Sequence, residues 1–319
     1  MAIIESHGLA REFRLRKQVV RAVDGIDFQV EPGEIVGFLG PNGAGKTTTL
    51  RMLTTLLRPT SGTARIAGLD LLAAPGQVRR LIGLVAQTGG TDINCLVGEE
   101  IMLQGGLYGL DKARCRERTA FLLDRLDLGG LAGRRVRTLS GGQRRRLDIA
   151  IGIVHEPRVL FLDEPSAGLD PQSRKNLWEH LRWLRQDAGT TVFLTTHYLD
   201  EADALCDRVL VIDHGRIVAE DTPEGLKQQI SGDVVTAVLE GDPELARTLL
   251  AGLPGVRDVT ALGAATLRLT TDHSDQTVVD LITTLRDAGI SVSGLELTRP
   301  SLEDVFLTLT GSSLRDGSG

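Results

Sequence analysis

Gly40-Pro-Asn-Gly43-Ala-Gly45-Lys46-Thr47 fits the pattern G-x-x-x-x-G-K-[ST], and few short sequences restrict a fold so tightly. Its glycines let backbone N–H groups point at phosphate oxygens with no Cβ in the way. A helix starting at such a loop presents its positive end to the same anion. Lys46 adds a point charge for β- and γ-phosphates, and the Thr47 hydroxyl can ligate Mg²⁺. Both flanks supply what the loop needs. Residues 34–39 (EIVGFL), after the turn Glu31-Pro32-Gly33, read as a buried strand. Residues 47–57, with Leu50, Leu53 and Leu57, read as a helix stopped by Pro59. A glycine turn that merely precedes Lys-Thr would have neither flank.

Further buried-strand runs stand at 81–85, 158–162, 191–195 and 208–212, with helical patterns between them. They predict an α/β domain whose mostly parallel sheet is covered on its faces. From about 92 to 156 the pattern is helical. Leu122, Leu123 and Leu126 are the apolar part of one charged helix, and Leu147, Ala150, Ile151 and Val154 mark an amphipathic one at 141–155. This stretch predicts a helical insert. After Ser231-Gly232-Asp233 the pattern changes to a β-α-β-β-α-β unit, a small ferredoxin-like α+β domain. A final helix opens at Ser301 with capping-box spacing to Asp304, and Leu302, Val305, Phe306 and Leu309 form its stripe. A chain of 319 residues suits two domains at about 150 residues each. The predicted division is 1–230, 231–311 and a disordered tail at 312–319.

Composition narrows the function classes. Lys and Arg total 36 against 42 Asp and Glu, giving net −6, which argues against a generally basic nucleic-acid binder. At 3% aromatic, the chain lacks a base-stacking platform. Arg144-Arg145-Arg146 reads as a solvated face, so no nucleic-acid partner is expected. No apolar run reaches the ~18 residues of a membrane span. Glu5 and Arg11 interrupt the start too early for a signal peptide. Three cysteines in no metal-ligand spacing fit a reducing cytosol.

Val159-Leu-Phe-Leu162 is an apolar strand ending in Asp163-Glu164. Taken alone, such acids are a solvated strand end. Beside the loop at 40–47, Asp163 can hold Mg²⁺ and Glu164 can polarise a water aimed at the γ-phosphate. Leu139-Ser-Gly-Gly-Gln143 opens the helix at 141–155 and makes a second anion site, with Ser140 Oγ and the Gly142 N–H as donors.

Together, the loop at 40–47, Gln87, LSGGQ at 139–143, LFLDEP at 160–165, GLD at 168–170 and His197 in TTHYLDEA resemble the ATPase subunit of an ATP-binding-cassette (ABC) transporter. The resemblance covers about residues 1–225. It implies the P-loop ABC ATPase fold, ATP and Mg²⁺ as ligand and cofactor, and further roles. Phe13 would stack on adenine. Gly40, Pro41, Asn42, Gly43, Ala44, Gly45, Lys46, Thr47 and Thr48 would bind the phosphates. Thr47, Gln87 and Asp163 would serve Mg²⁺, and Lys46, Gln87, Glu164 and His197 would be catalytic. Ser140, Gly141, Gly142, Gln143 and Asp170 would meet the nucleotide of a second subunit in a head-to-tail homodimer. The tail, ending in Pro300-Ser-Leu-Glu-Asp-Val-Phe306, resembles the daunorubicin/doxorubicin-resistance type of drug exporter. That implies a separate integral-membrane permease and a place at the cytoplasmic side of the membrane. The alternatives are a soluble ABC-family ATPase acting on nucleic acid or ribosomes, and export of lipid, polysaccharide or ion.

Overall fold

A computed structural model describes residues 1–15, 18–230, 233–263, 265–272, 274–298 and 301–310. The expected disordered tail lies outside them, as do Ser231, Gly232 and Pro300. The backbone divides into two compact units between Glu220 and Asp221.

The first unit opens with β1 (Ile4–Leu15), β2 (Gln18–Val30), β3 (Ile35–Leu39) and α1 (Lys46–Leu53). There follow β4 (Ser61–Ile66), β5 (Leu69–Asp70), α2 (Pro75–Leu81), β6 (Ile82–Val85), α3 (Val97–Leu107) and α4 (Lys112–Arg125). The remainder is α5 (Gly141–Ile153), β7 (Val159–Asp163), α6 (Pro171–Gln186), β8 (Thr191–Thr196), α7 (Leu199–Leu205), β9 (Arg208–Asp213) and β10 (Arg216–Asp221).

Six strands form one sheet in the order β10-β9-β3-β8-β7-β6. From β9 to β6 the neighbours are parallel. Strands β3, β7 and β8 are buried along their whole length, which is why their sequences are unbroken apolar runs. Their C-terminal ends lie side by side, with Leu39 opposite Thr196 and Asp163 opposite Thr195. The crevice beyond those ends is where open α/β sheets bind ligands. Only His214 and Gly215 join β9 to β10, and both have positive φ, at 45° and 78°. So short a link permits only an antiparallel hairpin.

A second, antiparallel sheet, β2-β1-β4-β5, was not foreseen. Register shifts between β1 and β2 fall at Ser6/Leu9, Leu9/Arg11 and Arg11/Glu12. Each bulge breaks the two-residue alternation that would mark a strand. Phe28 of β2 packs 5.9 Å from Phe193 and 6.2 Å from Phe38, so both sheets close on one core. Helix α3 packs against α4 and α5, the expected helical insert.

The second unit runs α8 (Pro223–Ile230), β11 (Asp233–Glu240), α9 (Pro243–Ala251), β12 (Val256–Ala261), β13 (Thr266–Thr271), α10 (Ser274–Asp287), β14 (Ser291–Thr298) and α11 (Leu302–Thr310). Its antiparallel sheet, β12-β13-β11-β14, has the ferredoxin-like order. Val235, Ala237 and Leu239 bury against Ala246, Leu250, Leu281 and Leu285 as a separate core. Asp304 Oδ2 accepts the Ser301 N–H at 2.8 Å, and Asp304 N–H donates to Ser301 Oγ at 3.2 Å, completing the capping box. Two expectations change. Helix α8 packs on α11 and falls in the second unit, so the division precedes 230/231. Leu309, placed in the buried stripe, is exposed, unlike Leu302, Val305 and Phe306.

Candidate functional site

The loop leaving β3 turns between close neighbours. A Cβ on Gly40 would stand 2.3 Å from the Ile212 carbonyl, and one on Gly45 2.4 Å from the Ala22 carbonyl. Gly45, at φ 109°, is the N-cap of α1 and offers no capping side chain. The first N–H groups of α1 are therefore free of a side-chain cap and available to an anion. Lys46, buried at the start of α1, donates from Nζ to the carbonyls of Gly40 at 2.6 Å and Pro41 at 3.0 Å. Its Nζ also lies 3.6 Å from Glu164 Oε1. Burial pulls the Lys46 pKa down, and the Glu164 charge opposes that pull.

The acids come from the end of β7. Asp163 Oδ1 accepts from Thr195 Oγ1 at 2.7 Å and from Thr47 Oγ1 at 3.1 Å. Glu164 follows at φ 45°, a left-handed conformation that costs a non-glycine residue about 1 kcal/mol or more. Its N–H is held by the Thr195 carbonyl at 3.1 Å. The turn aims its carboxylate at three partners. Gln87 Nε2 donates to Oε2 at 2.8 Å, and His197 Nδ1 lies 3.1 Å from Oε1, the atom also facing Lys46. The contact with His197, with the charge of Lys46, holds Glu164 below the usual carboxylate range against the effect of burial.

Lys46, Thr47, Gln87, Asp163, Glu164 and His197 therefore stand in one cluster. Beside it, a cavity of about 190 Å³ is lined by Pro41, Asn42, Gly43, Gly45, Lys46, Thr47, Thr48, Gln87, Glu164 and Ala22. Ala44 is turned into the core instead. Phe13 is not among the lining residues; on β1 it lies 4.7 Å beneath the Arg11 guanidinium. A larger cavity of about 560 Å³ lies elsewhere, lined by residues such as Arg118, Phe121 and Trp183. Its acids Glu156 and Asp187 are tied to Arg114, Arg118 and Arg125, and none of the clustered site residues lines it.

The turn at Ser140–Gln143 is separate from this cluster. Ser140 Oγ accepts the Gln143 N–H at 3.3 Å and Gln143 Oε1 accepts the Ser140 N–H at 3.0 Å, a capping box opening α5. A Cβ on Gly142 would stand 2.6 Å from Ser173 Oγ. That hydroxyl donates to Asp170 Oδ2 at 2.6 Å, while Asp170 Oδ1 accepts the Ser173 N–H at 2.9 Å and caps α6. The Gly141–Gln143 turn and Asp170 are thus neighbours. Among the described residues, neither lines the cavity beside Glu164.

Two contributors were missed. Thr195 binds Asp163 and Glu164 together; it ends an apolar run and opens the TTHYLDEA motif, where only His197 drew a role. Arg145 is not on a solvated face. It is 7% exposed and donates to the carbonyls of Ala86, Asp163 and Pro165. Its spacing to the buried Ile149 and Gly152, four and seven residues on, places it on an inward stripe. Arg144 and Arg146 do meet surface partners, Thr91 and Asp127.

Such a loop, acid pair and capped glycine turn on this sheet define an ABC-type ATPase. Residues 23–167 match the ABC transporter family, and 222–310 match the C-terminal domain of DrrA1-3-like ATP-binding proteins. The daunorubicin/doxorubicin resistance ATP-binding protein DrrA of Streptomyces peucetius is 45% identical, over 99% of this chain and 94% of its own. A Nod factor export ATP-binding protein I from Ralstonia nicotianae is 41% identical, over 98% and 95%. Among solved structures, cbiO1 from Clostridium perfringens, part of an ABC transporter complex, superposes with a TM-score of 0.65 at 27% identity, covering 79% of this chain and 96% of that one. The chain belongs to the DrrA-type ATP-binding subunits of ABC transporters, and is an ATP-hydrolysing enzyme.

Proposed function

We propose that two copies close head to tail on two ATP molecules and that hydrolysis drives export through a separate membrane permease. The observation that carries this is the Glu164 carboxylate, ionised and surrounded by Gln87, Lys46 and His197. The loop N–H groups from Asn42 to Thr48 bind the β- and γ-phosphates, and adenine would have to reach the Phe13 ring on the face that Arg11 leaves open. Thr47 Oγ1 and Asp163 Oδ1, 3.1 Å apart, are hard oxygen donors that suit Mg²⁺, with Gln87 beside them. Mg²⁺ held there would neutralise charge on the phosphates. Lys46 contacts the γ-phosphate from the other side. Glu164 accepts a proton from the attacking water while Gln87 and His197 fix its carboxylate. The bond from the γ-phosphorus to ADP breaks, and phosphate takes up the proton. Ser140 to Gln143 and Asp170 of the second copy complete each site. Loss of the γ-phosphate removes what both halves grip, and the pair opens.

Among the described residues no helix is long and apolar enough to cross a membrane. Membership of the ABC-transporter ATP-binding subunits is what supports placing the chain on the cytoplasmic face, held by the permease. Relatives named for daunorubicin and doxorubicin resistance make those drugs the first cargo to test, and relatives named for Nod factor export make a Nod factor the second. The test is Glu164→Gln. ATP binding is expected to persist while turnover falls about 10²–10⁴-fold, the usual worth of a general base. Trapped with ATP in mild detergent, this variant is expected to bring down a polytopic membrane protein in about equal amount. Wild-type turnover would remove Glu164 from its role; recovery of ribosomes or nucleic acid would replace the permease.

A further inference from the structure

Arg145 serves the hydrolytic cluster without touching its cavity. Nη1 donates to the Ala86 carbonyl at 2.6 Å, Nη2 to that of Asp163 at 3.0 Å and Nε to that of Pro165 at 2.9 Å. Ala86 precedes Gln87, while Asp163 and Pro165 bracket Glu164. One guanidinium therefore fixes the backbone on both sides of the 2.8 Å Gln87–Glu164 hydrogen bond. Helix α5 meets the Gln87 segment twice more. The Asp148 carboxylate lies where a Cβ on Gly89 would come within 2.9 Å, and Arg144 Nη2 donates to Thr91 Oγ1 at 3.3 Å. Only arginine offers a rigid planar fork that reaches three acceptors at once; lysine carries a single point charge on a flexible stem.

We propose that Arg145 is a positioning residue for hydrolysis, setting Gln87 and Glu164 in place from the first turns of α5. The proposal rests on the assignment of Glu164 given above. Ser140 opens the same helix, and under that assignment it meets the nucleotide of the second subunit.

The experiment is Arg145→Lys in the full-length chain, assayed alone and with Glu164→Gln. Alone, it is expected to lower kcat on the order of 10²-fold, the cost of about 1 Å of misplacement. KM for ATP and binding of Mg-ATP stay at wild-type values. Added to Glu164→Gln it costs much less than it does alone, because Glu164 no longer has a base to place and only the Gln87 share of the effect remains. A merely structural role would lower the melting temperature and add its loss in both backgrounds. If Arg145→Lys does not fold, Gly89→Ala takes its place. It pushes the Gln87 segment off Asp148 and is expected to lower kcat with KM unchanged. Wild-type kcat in the folded variant, or an equal loss in both backgrounds, overturns the proposal and leaves Glu164 in its role. Wild-type turnover from Glu164→Gln alone overturns both.

Discussion

At the scale of single residues, the site is a set of short reaches from separate segments onto Glu164, and small changes there have large consequences. Gly45 is the sharpest case. An alanine would bring a methyl 2.4 Å from the Ala22 carbonyl at φ 109°. Gly45→Ala is expected to destabilise by more than about 1 kcal/mol and to weaken ATP binding, read by urea denaturation and nucleotide titration. Asp148 gives a pH signature. Burial raises its carboxyl to about 6, against the attraction of Arg145 and Arg144 and with some help from Glu100. In the unfolded chain it titrates near ~3.9. Between these values the folded chain keeps a proton that the unfolded chain gives up, so stability falls as pH rises through roughly 4 to 6. The ionised form costs about 3 kcal/mol at neutral pH. Asp148→Asn removes that dependence, and its melting-temperature advantage over wild type is expected to widen from pH 4.5 to pH 7. Melts at both pH values check the sign.

At the scale of elements, what the sequence reveals depends on how regular each element is. Strands β3, β7 and β8 are buried on both faces and read as plain apolar runs. Strands β1 and β2 are bulged and half-exposed, and their pattern dissolves. The acid pair and glycine loop were legible because chemistry fixes their spacing. Arg145 was not, because one arginine among three looks like solvated charge until the whole helix face is traced. Asp170 has a structural bond in place beside the role proposed for it. Its carboxylate caps α6 and holds Ser173 against Gly142. Asp170→Ala is expected to lower the urea midpoint, as loss of an N-cap does. Asp170→Asn, which keeps the acceptor for the Ser173 N–H, is expected to recover most of it. Urea midpoints of the two variants check this.

At the scale of the whole molecule, every residue assigned to nucleotide chemistry lies before Glu220, and the second unit has its own buried core. A chain ended at Glu220 is expected to bind ATP as the full chain does, measured by titration with a fluorescent nucleotide. A loss of binding would mean that the tail shapes the first unit. Helix α8 shows why the division was misplaced from sequence. A short amphipathic helix carries no mark of which core it covers, and only its packing on α11 assigns it. The left-handed turn at Glu164 has a consequence for evolution in the laboratory. Glycine would sit more comfortably in that backbone than any residue able to take up a proton. Heat resistance and turnover therefore pull apart at this position, and a lineage selected only for surviving heat would be drawn toward a firmer protein that no longer consumes fuel.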